Sequence, residues 1–200
     1  MIRIKSKSNS SSKKLSHKWF ADDSVMLAKK LLGKTILKGS CEGIIVETEA
    51  YGTDSASHAH HITPRSKPMR DTYGAWYVYF TYGMHHCVNV TTNKNGVGAV
   101  LIRAVEPVRG IKIMQKRRSL KTGKQNIPVR NLCSGPAKLC QSFGITTREN
   151  VTPVGGDFAI YDAPDLPEKD IGSSARIGIK NGTELPWRFF IKDNPFVSRK

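Results

Sequence analysis

Apolar and polar residues alternate in several stretches of the chain, and this period of two predicts β-strands. The first predicted pair is ILKGSCEGIIVETEAY, whose second strand covers residues 42–51. The segment WYVYFTYGMHHCVNV, residues 76–90, predicts a β-hairpin with its turn at Tyr82-Gly83-Met84. GVGAVLIRAVEP is a third strand region, and ARIGIK and WRFFIK predict a final pair joined by NGTELP.

Apolar residues at helical spacing, bounded by capping residues, predict three helices. The first covers residues 22–32 and is followed by a glycine. The second covers residues 106–118 and begins at Glu-Pro, while the third covers residues 134–144 and begins at Ser-Gly-Pro. Strands mixed with helices, without an internal repeat, predict an α+β domain.

Residues 1–18 are rich in Ser and Lys and lack both acids and a clear apolar period. We therefore expect a disordered basic tail there and a single compact domain over residues 19–200. The four cysteines have no CxxC spacing and follow no secretory segment, so we interpret them as reduced thiols. No apolar run approaches the roughly 18 residues of a membrane helix.

The formal net charge is +16, from 32 Lys and Arg against 16 Asp and Glu, and such an excess suggests a polyanionic partner. The charge is uneven, because residues 107–148 contain no acid whereas acids are frequent in residues 149–170. A charged run is often only a solvated surface, but a basic half beside an acidic half favours nucleic acid as the partner. The candidates for contacts with a phosphate backbone are Arg65, Lys112, Lys116 and Lys138.

Two acids, Glu47 and Glu49, interrupt a predicted strand that is otherwise mostly apolar. We expect at least one of them to be buried, since acids in such a strand need a stabilising partner. An ion pair with one of the many cations, for example Arg103, is the structural explanation. Their aromatic neighbours suggest a second explanation.

Three tyrosines are predicted to lie close to these acids. Tyr51 follows on the same strand face, and Tyr77 and Tyr79 stand side by side on the hairpin. The rings would line an aromatic slot beside a carboxylate, which suits a flat ligand such as a nucleobase. The turn of the hairpin, with Tyr82 and Met84, would then act as a wedge between base steps.

Five histidines, His58, His60, His61, His85 and His86, raise the question of zinc. We predict no metal site, because HAHH has no cysteine at ligand spacing and the zinc deaminase pattern is absent. A neutral imidazole near the slot would instead offer one donor and one acceptor to the edge of a base.

Several motifs resemble the alkyladenine DNA glycosylase family, the 3-methyladenine DNA glycosylases of the alkylpurine type. They are VETEAY, the spacing to SHA and TPR, YVYFTYGMHHCVNV, LIRAVEP, NLCSGPAKLC and ARIGI. They occur in the family's order and cover roughly residues 19–198. The resemblance implies a curved, mostly antiparallel sheet with flanking helices and a protruding hairpin, similar to the carboxy-terminal domain of formyltransferases.

The resemblance also implies roles for individual residues. Glu49 would activate the attacking water, and Arg103 would help to hold that water. The base pocket would consist of Tyr51, His58, Tyr77, Tyr79 and Asn89, with His58 hydrogen-bonded to the base and Asn89 excluding the amino group of normal guanine. Tyr82 would intercalate in the minor groove, with Met84 and His85 beside it.

The implied function is that of a monofunctional base-excision repair glycosylase. Such an enzyme rotates an alkylated or deaminated purine out of duplex DNA and hydrolyses its N-glycosidic bond, leaving an abasic site. No cofactor or metal is implied, and we expect a monomer that binds damaged duplex DNA and no membrane. We expect it in the bacterial cytoplasm (nucleoid) or the eukaryotic nucleus, and not as a secreted protein.

Two other interpretations remain open at this point. The first is a non-catalytic basic nucleic-acid-binding module, which explains the charge but not two acids in an aromatic neighbourhood. The second is an accessory domain like that of methionyl-tRNA formyltransferase.

Overall fold

A computed structural model describes residues 13–199. The first twelve residues of the predicted basic tail lie outside this part of the chain. Leu15 is buried in the core, and its N–H donates to the carbonyl oxygen of Ile160 at 2.8 Å. The packed chain therefore includes residues that precede Trp19.

Eight strands form one curved sheet in which every neighbouring pair is antiparallel. They are β1 (Thr35–Lys38), β2 (Cys41–Tyr51), β3 (Trp76–Thr81), β4 (His85–Thr91), β5 (Ala99–Arg109), β6 (Phe158–Tyr161), β7 (Ile171–Ser174) and β8 (Arg188–Ile191). The main order is β3-β4-β5-β2-β1-β6, and β8 pairs with both β2 and β7. The α+β prediction is confirmed.

In the described part of the chain, four α-helices accompany the sheet: α1 (Ser24–Lys30), α2 (Pro68–Asp71), α3 (Ile111–Thr122) and α4 (Pro136–Phe143). Short 3-10 helices occupy His17–Ala21, Val129–Asn131, Thr147–Glu149 and Glu168–Asp170. Asp23 caps α1, since its Oδ1 accepts hydrogen bonds from two N–H groups of the first turn. In residues 13–199, every helix is too short or too polar to cross a membrane.

Along one edge of the long strand β2, one strand pairs with its first half and another with its second half, and this change of partner curves the sheet. Its first half pairs with β1, as in Thr35↔Ile44, and its second half pairs with β8, as in Glu47↔Phe190. The register against β5 is irregular between Ile45 and Glu47, as expected at a β-bulge. The segment from Glu47 to Tyr51 therefore lies between β5 and β8.

The two faces of the sheet carry separate apolar clusters. The larger one packs α1 and α4 against the sheet and includes Trp76, whose ring stacks on Phe158 at 3.7 Å between centroids. The smaller one contains Met69 and Tyr77, with Tyr51 and Tyr79 packed beside it. This second face carries the cavity described below.

Two predicted elements were wrong. The region predicted as the start of a helix at residue 106 continues β5, because Ile44↔Glu106 and Gly43↔Pro107 pair with β2, and α3 begins only at Ile111. The predicted strand over residues 175–180 is irregular chain, and β8 pairs instead with residues 171–174. The hairpin and its turn are confirmed in β3 and β4.

Candidate active site

A cavity of about 450 Å³ lies on the second face of the sheet, and a single row of paired residues contributes to its wall. The pairs are Glu49↔Leu101, Leu101↔Asn89 and Asn89↔Tyr77, which join β2, β5, β4 and β3. Side chains paired across neighbouring strands point to the same face. The register therefore brings a carboxylate, an amide and a phenol from distant parts of the chain into one cavity.

The period of two adds a second set of side chains to this wall. Tyr51, Tyr79, Cys87 and Arg103 each lie two residues from a member of the row and line the same cavity. The volume falls in the roughly 300–1,000 Å³ range of small-molecule pockets.

Glu49 is fully buried and accepts hydrogen bonds at both carboxylate oxygens. Its Oε1 lies 2.7 Å from the backbone N of Ile177 and 3.2 Å from Nη1 of Arg103, and its Oε2 accepts from the Tyr51 hydroxyl at 2.8 Å. A carboxylate has about four acceptor positions. Three donors leave one position on Oε2 for a further donor.

Glu47 is also fully buried, and its carboxylate accepts four hydrogen bonds. Its Oε1 accepts from Nε of Arg188 at 2.7 Å, from Nε of Arg103 at 3.1 Å and from the Ser198 hydroxyl at 3.0 Å. Its Oε2 accepts from the backbone N of Ser198 at 2.7 Å. Glu47 does not line the cavity. The ion-pair explanation therefore accounts fully for Glu47 but not for Glu49.

Arg103 bridges the two acids and holds the carboxylate of Glu49 in place. Burial by itself would lower the pKa of Arg103, but the negative charges of Glu49 and Glu47 outweigh burial and raise it. The guanidinium is therefore a fixed positive charge 3.2 Å from Oε1 of Glu49.

The three pocket tyrosines are protonated phenols at neutral pH. Burial raises the pKa of Tyr51, and the adjacent charge of Glu49 raises it further. Burial also raises the pKa of Tyr77 to about 12 and that of Tyr79 well above its ordinary value. Each ring therefore presents a neutral aromatic surface and an O–H donor.

His58 lies in the loop after β2 and lines the cavity next to these rings. Its Nδ1 is 3.0 Å from the Tyr77 hydroxyl, and its ring packs edge-on against Tyr79 with centroids 4.6 Å apart. Burial lowers the pKa of His58, and the positive charge of Arg65 lowers it further. The imidazole is therefore held in its neutral form.

Asn89 is buried within the cavity wall, and its side-chain amide donates to the carbonyl oxygen of Tyr77 at 3.0 Å. This hydrogen bond fixes the orientation of the amide group on the cross-strand row.

The hairpin turn stands at the rim of the cavity. Tyr82 is 82% exposed, lines the rim and has a positive φ of 51°, and Met84 is 57% exposed. His85 begins β4 and is partly exposed, although its Nδ1 is buried and has no hydrogen-bond partner in the described part of the chain. A large exposed aromatic ring on a strained backbone contributes little to the stability of the fold.

Part of the wall comes from a segment that the strand pattern did not reveal. Residues 177–181 line the cavity, and the backbone N–H of Ile177 donates to Glu49. Ile177, Gly178 and Ile179 belong to ARIGI, a motif used for the family resemblance, whereas the alternation of ARIGIK wrongly indicated a strand. Pro136, the first residue of α4, also lines the cavity.

The candidates for backbone contacts occupy different surroundings. Lys138 is on α4, one turn from the cavity, and its Nζ lies 3.4 Å from the Ser134 hydroxyl. Lys112 and Lys116 are exposed on α3 and do not line the cavity. Arg65 is exposed and lies against Tyr79.

Within residues 13–199, no group of three or more His, Cys, Asp or Glu side chains is placed to hold a metal ion. The four cysteines are free and buried. The cavity wall offers a carboxylate, a guanidinium, phenols and an imidazole, together with the Cys87 thiol, the Asn89 amide and the side chain of Lys180.

Comparison with known proteins agrees with this chemistry. The family model for methylpurine-DNA glycosylase (MPG) matches residues 18–195. A protein of Rhodopseudomonas palustris is 45% identical over 187 residues, which cover 91% of this chain and 87% of the relative. A protein of Alkaliphilus oremlandii is 42% identical over 204 residues, covering 94% of this chain and 100% of the relative. A Francisella tularensis protein is 45% identical over 184 residues, which cover 86% of this chain and 92% of the relative. The name of each is that of a 3-methyladenine DNA glycosylase.

Proposed function

Since the chain belongs to the methylpurine-DNA glycosylase family and is therefore a DNA base-excision repair glycosylase, we propose a specific mechanism for it. The enzyme binds duplex DNA as a monomer and rotates an alkylated or deaminated purine into the cavity. Water activated by Glu49 then hydrolyses the N-glycosidic bond and leaves an abasic site.

The observation that carries this proposal is the hydrogen bonding of Glu49 compared with that of Glu47. Of the two acids, only Glu49 lines the cavity, and its Oε2, which accepts from the Tyr51 hydroxyl, retains an acceptor position there. A water bound there could give its proton to the carboxylate as its oxygen attacks the anomeric carbon. The water proton passes to Glu49, the carbon–nitrogen bond breaks, and the base leaves with the bonding electron pair.

The charge of Glu49 serves a second purpose in this mechanism. Cleavage of the bond develops positive charge on the sugar, as in glycoside hydrolysis, and a nearby carboxylate stabilises that charge. Arg103 lies 3.2 Å from Oε1 of Glu49 and orients its carboxylate. The mechanism assigns no nucleophilic role to a lysine and no step to a metal.

The remaining cavity residues would bind the extruded base. Tyr51 and Tyr79 offer ring faces for stacking, Tyr77 and His58 offer polar atoms to the base edge, and Asn89 excludes the amino group of normal guanine.

The hairpin turn would keep the base outside the helix. Tyr82 would fill the vacated stack from the minor groove, with Met84 and His85 beside it. Their place at the rim agrees with that role, because the wedge and the extruded base must lie close together.

The test is the substitution Glu49→Gln. We expect binding to a hypoxanthine-containing duplex to persist while single-turnover excision falls about 10²–10⁴-fold, the contribution typical of a general base. Excision is measured as strand breaks at the lesion after hot alkali.

Glu42→Gln is the matched control, because Glu42 is an acid on the same strand that pairs with Arg109 and does not line the cavity. Excision by this variant should equal that of the unmodified protein. Equal excision by Glu49→Gln would remove Glu49 from the mechanism.

A further inference from the structure

The segment from Arg176 to Gly182 is an irregular loop that one buried guanidinium anchors at both ends. The side chain of Arg176 is fully buried and forms two hydrogen bonds with the carboxylate of Asp54, at 2.5 and 3.2 Å. The same guanidinium donates to the carbonyl oxygen of Ala50 at 3.0 Å and to that of Gly182 at 3.4 Å. The two ends of the loop are therefore tied to each other and to strand β2.

Close packing around this guanidinium limits the movement of the loop further. Cζ of Arg176 lies 4.8 Å from the ring centroid of Tyr51 and 5.2 Å from that of Trp187. Gly182 is buried and has a positive φ of 66°, and a Cβ at this position would lie 2.9 Å from Nη2 of Arg176. Only a glycine accepts both the conformation and the close approach. Buried contacts therefore fix the path of residues 177–181 along the cavity.

This anchored loop brings a lysine to the mouth of the cavity. Lys180 lines the cavity and is exposed, so it lies at the open side, as Tyr82 does. The second cation in the described wall is Arg103, which is paired with Glu47 and Glu49. Lys180 forms no ion pair within residues 13–199. The mouth therefore carries a positive charge that the protein itself does not compensate.

The extrusion of a nucleotide brings an anion to such a mouth. When the base enters the cavity, the flanking phosphates still connect the nucleotide to the duplex and stay at the open side. A phosphate offers negative charge and several acceptor oxygens, and a lysine ammonium binds it as a point charge. In a duplex whose bases are all stacked, the phosphates follow the regular backbone and none is drawn towards the cavity.

We propose that Lys180 binds a phosphate next to the extruded nucleotide, and that this contact forms only when a base occupies the cavity. The contact then stabilises the extruded state relative to the stacked state. Because the phosphate neutralises Lys180, the contact favours the extrusion of cationic and neutral bases alike. The inference rests on the proposed glycosylase function and adds a residue that favours its extruded state.

The experiment measures equilibrium binding at several salt concentrations to a hypoxanthine-containing duplex and to the same duplex with adenine at that position. All proteins carry Glu49→Gln, so that excision is slow. In Lys180→Gln, the slope of log K against log salt concentration should decrease in magnitude by about 0.9 for the lesion duplex and stay unchanged for the undamaged one. The preference for the lesion duplex at physiological salt should fall about 3- to 10-fold. Lys180→Arg retains the charge and should retain both the slope and the preference.

Lys94→Gln is the matched control, because Lys94 is exposed, does not line the cavity and follows the end of β4 that is remote from the hairpin turn. It should change neither slope. An equal change for both duplexes in Lys180→Gln overturns the proposal, because the contact would not depend on extrusion, and so does no change for either.

A lesion-specific shift of the same size in Lys94→Gln also overturns the proposal, because net charge would then be the cause. The proposed function has a separate test. If the protein with Glu49 intact leaves the hypoxanthine duplex uncleaved, that function fails whatever the slopes are.

Discussion

At the scale of single residues, backbone strain separates functional positions from structural ones. Within residues 13–199, five non-glycine residues have positive φ, and three of them are Asn or Asp, which tolerate this conformation. The two others are Tyr82 and Val151, with φ of 51° and 63°. With Gly83 at 63°, Tyr82 forms a turn that has positive φ at both central positions, for which Asn-Gly is the preferred pair. Stability alone would not select a tyrosine at this position.

We predict that Tyr82→Asn stabilises the folded protein and weakens lesion binding. Relief of strain should raise the free energy of unfolding by up to about 1 kcal/mol, because the exposed ring loses few contacts. Loss of the wedge should reduce affinity for a hypoxanthine duplex by a few kcal/mol at most. Urea unfolding and equilibrium binding, both in the Glu49→Gln background, measure the two effects.

Val151→Asn is the control for this prediction. Val151 is strained in the same way and 47% exposed, but it does not line the cavity. It should gain stability with unchanged DNA affinity. A loss of stability in Tyr82→Asn would mean that the ring is needed by the fold, and unchanged affinity would mean that it is not a wedge.

The imidazole of His58 provides a prediction on pH. Its pKa in the folded protein lies below the ordinary value of 6.5, because of burial and the charge of Arg65. The NMR titration midpoint of His58 should therefore fall below 6.5 and should rise in Arg65→Met.

The sign of the effect on stability follows from the same shift. The unfolded chain takes up a proton near its ordinary pKa while the folded form resists it, so stability falls as the pH drops from about 6.5 towards the folded pKa. His86, whose pKa is also lowered by burial, contributes with the same sign. His58→Gln should reduce the acid-induced loss of stability between pH 7 and 6, and an unchanged loss would contradict the assignment.

At the scale of secondary-structure elements, strand β2 carries two acids with different tasks. Glu47 connects β2 to β5, β8 and Ser198, whereas Glu49 faces the cavity. Strand β2 has a bulge between Ile45 and Glu47 and changes its partner strand nearby. Together these two features bring both acids within reach of arginines.

We predict that Glu47→Gln mainly costs stability. Removing one member of a buried ion pair leaves the positive charge of the guanidinium groups without full compensation. This typically lowers the free energy of unfolding by about 3–5 kcal/mol. Excision per folded molecule should fall far less than in Glu49→Gln, because Glu47 does not line the cavity. Chemical denaturation and single-turnover excision at low temperature test this, and a loss of activity equal to that of Glu49→Gln would contradict the division of roles.

The sequence pattern was sufficient for elements that local residues specify. The alternation of apolar and polar residues predicted the hairpin and the tyrosines near Glu49, since a period of two determines which side chains share a face. The segment after residue 175 could not be predicted in this way, because its conformation depends on distant partners. Arg176 binds Asp54, and the N–H of Ile177 binds a carboxylate 128 positions away in the chain. The start of α3 was misjudged because Pro107 is tolerated in β5.

At the scale of the whole molecule, the distribution of charge follows the topology of the sheet. The hairpin of β3 and β4 forms one edge of the main strand order, and β6 forms the other. The acids Asp157, Asp162 and Asp165 flank β6, while the acid-free segment 107–148 contains α3 and α4. Since α4 begins at the cavity wall, its lysine, Lys138, is well placed to meet the backbone of bound DNA.

We predict from this arrangement that Lys138 contacts a phosphate. Each phosphate contact contributes about −0.9 to the slope of log K against log salt concentration. Lys138→Gln should therefore reduce the magnitude of the slope by about 1 for damaged and undamaged duplexes alike, because a backbone contact carries no information about the base. The control is Lys169→Gln, which removes a cation from the acidic segment between β6 and β7 and should leave the slope unchanged. If both variants shift the slope equally, the salt dependence reflects net charge alone and not a surface oriented towards the cavity.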